Sequence, residues 1–411
     1  MKTFFSWLNR LDTRLLLIAD QSLISAAGFL SNFLLAWKLQ LEGYGIYALV
    51  YLGMMLLMSF QQALFIQPAQ VFLSKLGEYT SRKYTAAILV LAFPATLLLA
   101  LIFELIFQLI YQTSIPTGIL FIVSWIWLFS DLLRKLCIIL KPGIKLVLID
   151  ALNMLLFTGL ILTLSPKSPA SALLILAISA ATGFLFLFIL KPISSGKRLR
   201  NYYIHKTSST AGWMVVTSVV QWSSSNYLLM AAGAWISAAS LGLLRLTQYL
   251  FGLLNIFLQA YENYAVPKVA AWTGRANEKA SFVLKISAAF LIPVAFLLIL
   301  LALFFPTVAK LISPQDITEP LHIWIALLYL LIVIAYPIRV LIRASGFNQI
   351  YFLAHVVSLI FILISAGFLI RNYQSAGIVV GMMLSQVLMA SIWIIFLFHK
   401  KQFTWKLSTS H

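Results

Sequence analysis

The chain has 411 residues, 62% of them hydrophobic and only 10% charged, with a formal net charge of +18. A soluble domain is about 45–50% apolar and about 25% charged, so this composition excludes an ordinary soluble globular protein. The apolar residues fall in runs of roughly 20–26, long enough to cross a hydrocarbon core as helices, and they lack the alternation of spanning strands.

Residues 1–14 mix Phe4, Phe5, Trp7 and Leu8 with Lys2, Arg10 and Arg14. They read as an amphipathic segment on the cytoplasmic surface. The predicted spans are then 15–38, 44–66, 85–110, 117–140, 145–164, 170–190, 210–233, 239–264, 282–308, 320–342, 349–370 and 375–399. The first run is interrupted by Asp20-Gln21 and continues past the length of a signal-peptide core, so no cleaved signal is expected. Lys141-Pro142-Gly143 alone separates the fourth and fifth spans. The expected fold class is an all-α polytopic membrane protein of about twelve transmembrane helices. The expected organisation is an N-terminal six-helix bundle at 15–190, a basic cytoplasmic linker at 191–209, a C-terminal six-helix bundle at 210–399 and a cytoplasmic tail at 400–411.

With the N-terminus in the cytoplasm, 24 of the 29 lysines and arginines fall on the cytoplasmic side. Only Lys38, Lys167, Lys310 and Arg371 fall opposite, and Arg245 lies within a span. This is a positive-inside signal with both ends inside. It accounts for the net charge without nucleic acid, and it predicts attraction of anionic phospholipids to the cytoplasmic face. The two halves also look alike. Ser31-Asn32-Phe33-Leu34-Leu35 matches Ser225-Asn226-Tyr227-Leu228-Leu229, and Gly45, Leu57, Phe60 and Gln62 align with Gly242, Leu254, Phe257 and Gln259. Six spans are an even number, so each half begins on the same side and the repeat is parallel.

The predicted outer loops are short, and none can hold a folded catalytic domain of about 50 residues. No phosphate loop, H-E-x-x-H or Cys/His cluster occurs, so no catalytic residue and no metal ligand are assigned. Cys137 is alone, which excludes an internal disulfide. His322 and His355 read as packed or interfacial.

The eighth span carries the most information. Arg245, Gln248, Gly252, Asn255, Gln259 and Glu262 are spaced 3, 4, 3, 4, 3, on one face of a straight helix. A lipid-facing charge near the bilayer centre costs about 2.5–3.5 kcal/mol, so this face must meet protein or water. It reads as the wall of a hydrated cavity; the plain alternative is interhelical hydrogen-bond glue. Arg245 suits a phosphate or carboxylate, or else snorkels to the outer headgroups. Span 1 carries Asp20, Gln21, Ser25, Gly28 and Asn32, and span 7 carries Ser218, Gln221 and Ser225 at matching spacing. Both read as cavity lining or as helix packing. Gln62 is the repeat equivalent of Gln259. The coupling or gating candidates are Glu104, Asp20, Glu262, Asp131, Arg134 and Asp150. Asp131 and Arg134 are spaced to pair as i, i+3, and Glu104 has no evident partner, which makes it the better proton-relay candidate.

The run Glu42-Gly43-Tyr44-Gly45-Ile46-Tyr47, then Gln61-Gln62-Ala63-Leu64 and Gln67-Pro68, resembles the polysaccharide-biosynthesis flippases. So does Leu253 through Tyr264 followed by Pro267-Lys268. These are the O-antigen and exopolysaccharide translocases of the multidrug/oligosaccharidyl-lipid/polysaccharide exporter superfamily. The resemblance implies two six-helix bundles around a central cavity, alternating access, and a bacterial inner-membrane location. It implies an undecaprenyl-pyrophosphate-linked oligosaccharide as cargo, met by Arg245, Gln248, Asn255 and Gln259. Polysaccharide polymerase and assembly proteins are the expected partners, and no bound cofactor is expected. The resemblance does not settle the energy source, and a proton or sodium gradient acting through a buried acid is the expectation. A drug/cation antiporter of the same superfamily is the alternative, and an enzyme of the same pathway is a further rival. Neither the sugar nor the coupling ion is legible.

Overall fold

The computed structural model describes residues 13–400, without 74–75, 113–114, 141–142, 195, 272–275 and 313–319. The predicted tail, nearly all of the predicted N-terminal segment, and the side chains of Asp20 and Gln21 lie outside the described residues.

Among the described residues the chain is almost wholly helical, with no strand. The order is α1 (Thr13–Gln61), a π-helical segment (Gln62–Ile66), α2 (Gln67–Leu73), α3 (Glu78–Tyr111), α4 (Ile119–Ile139), α5 (Ile144–Leu164) and α6 (Pro169–Ala180). A 3-10 segment (Ala181–Leu185), α7 (Phe186–Leu190), α8 (Lys197–Trp235), α9 (Ala238–Gly252) and α10 (Leu254–Ala270) follow. The chain ends in α11 (Ala276–Ile312), α12 (Leu321–Ala344) and α13 (Asn348–His399).

Among the described residues seven helical stretches are long and apolar enough to cross a membrane, and eight if α9 and α10 form one bent span. Two of the seven are double. The first contains a break at Gln40 (φ 59°) and α13 contains one at Gln374 (φ 47°), at the predicted outer turns. The polytopic fold follows directly. Helices α4 and α8 bring the described helices to the expected twelve. Each has the length to span but carries more polar residues than the apolar stretches, with Asp131, Arg134 and Lys135 in α4. The Lys141-Pro142-Gly143 boundary does separate a pair of helices, the first ending at Ile139 and the next starting at Ile144.

The chain forms two compact units, Met1–Trp222 and Ser223–His411, with the division inside α8. Most of the predicted linker at 191–209 is therefore not a loop, because the chain is helical from Lys197 onward. The reason is local. Tyr203 and Thr207 lie four apart on one face of α8 and are buried, and Leu199 packs beside Tyr203 against the N-terminal core. Phe72 holds Tyr84 and Tyr203 edge-on, with ring centroids 4.7 and 5.8 Å away.

Lipid tails are as apolar as leucine, so close packing rather than water exclusion must hold these helices. The outward positions are apolar and open, among them Leu109, Phe188 and Ile364. The inward positions use small residues at close approaches. A Cβ on Gly183 would lie 2.6 Å from Ser130 Cβ, and one on Gly381 would lie 2.7 Å from Leu228. Helix starts follow local rules: Ser168 and Ser171 form a capping box ahead of Pro169, and Ser237 accepts from the Ser240 amide to cap α9.

Candidate functional site

The predicted polar face of span 8 does not run straight. The chain bends by 46° between α9 and α10, so the spacing argument, which assumes one helix axis, holds only within each piece. In α9, Arg245 is buried; its Nη1 donates to Gln248 Oε1 at 3.0 Å and its Nη2 to the Tyr249 hydroxyl at 3.3 Å. The guanidinium also lies over the Tyr249 ring. At the bend, Tyr329 of α12 donates to the Gln248 carbonyl at 3.4 Å. Beyond it, Asn255 and Gln259 are exposed, while Glu262 is buried against α12. The six residues thus occupy three environments.

Glu262 anchors a charge cluster. The Tyr336 hydroxyl donates to its Oε2 at 2.9 Å. Arg339 Nη2 lies 3.7 Å from the same oxygen, and Arg343 Nη1 contacts Oε1. Tyr336, Arg339 and Arg343 are spaced i, i+3, i+7, so α12 presents them on one side. One carboxylate faces two guanidiniums, which leaves the cluster with an excess positive charge. Arg339 also stands over the Tyr336 ring, and Arg343 over that of Tyr351.

A cleft with about 390 Å³ of empty space, part of it open to the outside, lies beside this cluster within the C-terminal unit. Its walls are Ser225 of α8, Tyr336 and Arg339 of α12, and Tyr351, His355, Gln386 and Trp393 of α13, together with Ile332, Ala335 and Met389. No acid lines it. Tyr351 and Trp393 stack with centroids 5.5 Å apart and planes at 6°. His355 Nδ1 is 2.8 Å from the Ser224 hydroxyl. The cavity therefore combines a cation, an aromatic stack and several hydrogen-bonding groups.

Sequence reasoning reached this site only at Ser225. Arg339 and Arg343 entered only as topology signals, and His355 only as a packed histidine. The available signal was the spacing of Tyr336, Arg339 and Arg343, continued by Tyr351 and His355 four apart at the start of the next helix.

The remaining candidates lie in the N-terminal unit. Asn32 Nδ2 donates to the Gly28 carbonyl at 2.7 Å, and its Oδ1 accepts from the Tyr44 hydroxyl at 3.0 Å. That contact ties the two sides of the Gln40 break. Gln62 opens the π-helical segment, and Gln221 is half-buried on α8. Glu104 has a partner after all: its Oε1 accepts from the Gly118 amide, directly ahead of α4. A carboxylate there meets the positive end of the helix. Gln108 supports it by donating to the Ile115 carbonyl at 2.9 Å. The expected Asp131–Arg134 pairing is replaced by two others. Lys135 Nζ lies 2.8 Å from Asp131, and Arg134 Nε donates to Asp150 Oδ2 at 2.8 Å across to α5. Asp131 can reach i+4 as easily as i+3, while Asp150 gives Arg134 a more buried partner.

No protein-family model matches the chain, and no curated protein does. Solved structures do. The chain is similar to an inward-facing multidrug resistance MATE family transporter of the MOP superfamily, with 12% identity over 92% of this chain and 95% of that one and a TM-score of 0.69. It is similar to the lipid II flippase MurJ in an inward closed conformation, with 14% identity over 94% and 87% and a TM-score of 0.72. A MOP superfamily transporter from Pyrococcus furiosus aligns at 12% identity over 96% and 97% with a TM-score of 0.63. These three are transporters or flippases rather than enzymes, and at such identities the likeness shows that this chain has their fold.

Proposed function

We propose that the chain is a flippase that carries an undecaprenyl-pyrophosphate-linked oligosaccharide, an O-antigen or exopolysaccharide repeat unit, across a bacterial inner membrane by alternating access. The observation that carries this reading is the cavity of the C-terminal unit, walled by Arg339, Gln386 and the Tyr351–Trp393 stack and by no acid. A pyrophosphate is anionic and suits an arginine. Sugars offer hydroxyls to amides and apolar ring faces to aromatics. Asn255 and Gln259, open on α10, supply further polar contacts. Arg245, already held by Gln248 and Tyr249, is the secondary candidate.

In this reading Glu262 is the acid whose protonation couples transport to a proton gradient, because protonating it frees two arginines. The chain would work beside a polysaccharide polymerase and assembly proteins, on a cytoplasmic face bound by anionic lipids. The fold is also that of multidrug transporters, so a drug/cation antiporter is the alternative; a cationic cargo would meet Arg339 without a facing acid. Complementation separates the two. Expression in a strain lacking its oligosaccharide flippase should restore surface polysaccharide, and Arg339→Gln should return export to the null level at unchanged membrane abundance. Full export by that variant removes Arg339 from the cargo path. No export by the wild type, together with raised resistance to cationic drugs, supports the antiporter.

A further inference from the structure

Apart from Arg245 Nε, three buried side-chain nitrogens described in the C-terminal unit have no hydrogen-bond partner: Arg339 Nε, His355 Nε2 and Trp393 Nε1. All three belong to side chains that line the same cavity. His355 and Trp393 are more than nine-tenths buried, at 7% and 3% exposed. A buried donor left unmade is costly, and native proteins keep such groups few. Three around one cavity call for a shared partner.

The chemistry of that partner can be read from the nitrogens. The arginine Nε and the indole nitrogen only donate. Where the Ser224 hydroxyl donates to His355 Nδ1, the ring proton sits on Nε2 and supplies a third donor. Arg339 adds a positive charge; the lining itself holds no carboxylate, and Glu262, 3.7 Å from Arg339, is shared with Arg343, so the cluster keeps a net positive charge. Tyr336, whose hydroxyl also faces this region, already spends its proton on Glu262. The Tyr351–Trp393 stack holds the indole rigidly, so its N–H is positioned before any ligand arrives.

We infer that Arg339, His355 and Trp393 form an oxyanion-binding site inside the C-terminal unit, which takes a phosphoryl or carboxylate group by donors alone. Two sources share this chemistry: the pyrophosphate of an isoprenoid carrier and the carboxylate of an acidic sugar. The natural source rests on the flippase reading, but the site itself can be tested without transport.

The test is calorimetric titration of the purified full-length protein in detergent with farnesyl pyrophosphate, inorganic pyrophosphate, glucuronate and farnesol. Saturable binding of at least one oxyanion, and none of farnesol alone, is expected. Pyrophosphate binding without glucuronate binding assigns the lipid carrier, and the reverse assigns the acidic sugar. Trp393→Phe keeps the stacked ring and removes only the N–H. It should weaken binding about tenfold, as the loss of one hydrogen bond to a charged group does, and Arg339→Gln should weaken it further. Both variants should elute as the wild type in size-exclusion chromatography; a variant that does not is replaced by Arg339→Lys, which keeps the charge and loses the fork. Absence of oxyanion binding overturns the site, as does wild-type affinity in Trp393→Phe and Arg339→Gln, or equal binding of farnesol. Oxyanion binding by a protein that restores no export leaves the site standing and removes the flippase.

Discussion

The two units treat a half-buried arginine differently. Arg134 and Arg339 lie 205 positions apart, as do Asp150 and His355, and as do the helix ends Ile139 and Ala344. In the N-terminal unit Arg134 meets Asp150, and Asp131 meets Lys135, so two acids face two bases. In the C-terminal unit the position of Asp150 is His355, Arg339 leans toward Glu262 at 3.7 Å, and a cavity opens beside it. In the first cluster the charges cancel, while the second keeps an excess positive charge beside a cavity. The first unit thus carries a paired cluster where the second carries a candidate site.

The sharpest way to break the comparison is to give the second unit the acid of the first. His355→Asp should pair with Arg339, reduce oxyanion binding by more than tenfold and bring export to the null level, with the protein still abundant in the membrane; calorimetry and complementation read both. The reverse lesion acts on folding. Asp150→Asn takes the Asp150 charge away from half-buried Arg134, and breaking a fully buried pair, the upper bound here, costs about 3–5 kcal/mol. Its expected signature is a clear drop in the temperature at which the detergent-solubilised protein aggregates, whatever its ligand. The smallest effect belongs to Glu104. Glu104→Gln keeps an oxygen for the Gly118 amide, so export should persist and the stability loss should stay within about 1 kcal/mol, the scale of a helix cap. Abolished export in that variant would restore Glu104 as a proton relay.

The spans were legible because hydropathy is a local property summed over about 20 residues. Even the single-residue turns at Gln40 and Gln374 fall where the hydrophobic runs were expected to separate. The bend after Gly252 was not legible: no proline marks it, and a glycine inside a helical pattern has several readings. Partners were the least legible. Asp131 had two neighbours at equal cost, and Glu262 finds its tyrosine 74 residues later in the chain. The loop reading of 191–209 failed because a basic, polar stretch can still carry one apolar stripe, here through Leu199 and Tyr203. Hydrogen-bond and charge pairing is set by tertiary contact, and a residue's type alone does not carry it.

The breaks at Gln40 and Gln374 have a consequence for how the protein is made and how it moves. Each leaves two spans joined by a single non-helical residue, and the first is buttoned by Tyr44 to Asn32. Such a pair leaves the ribosome and enters the bilayer as one hairpin. Once there, neither arm has slack to slide past the other, so the transport proposed above would swing both arms together as a stiff lever.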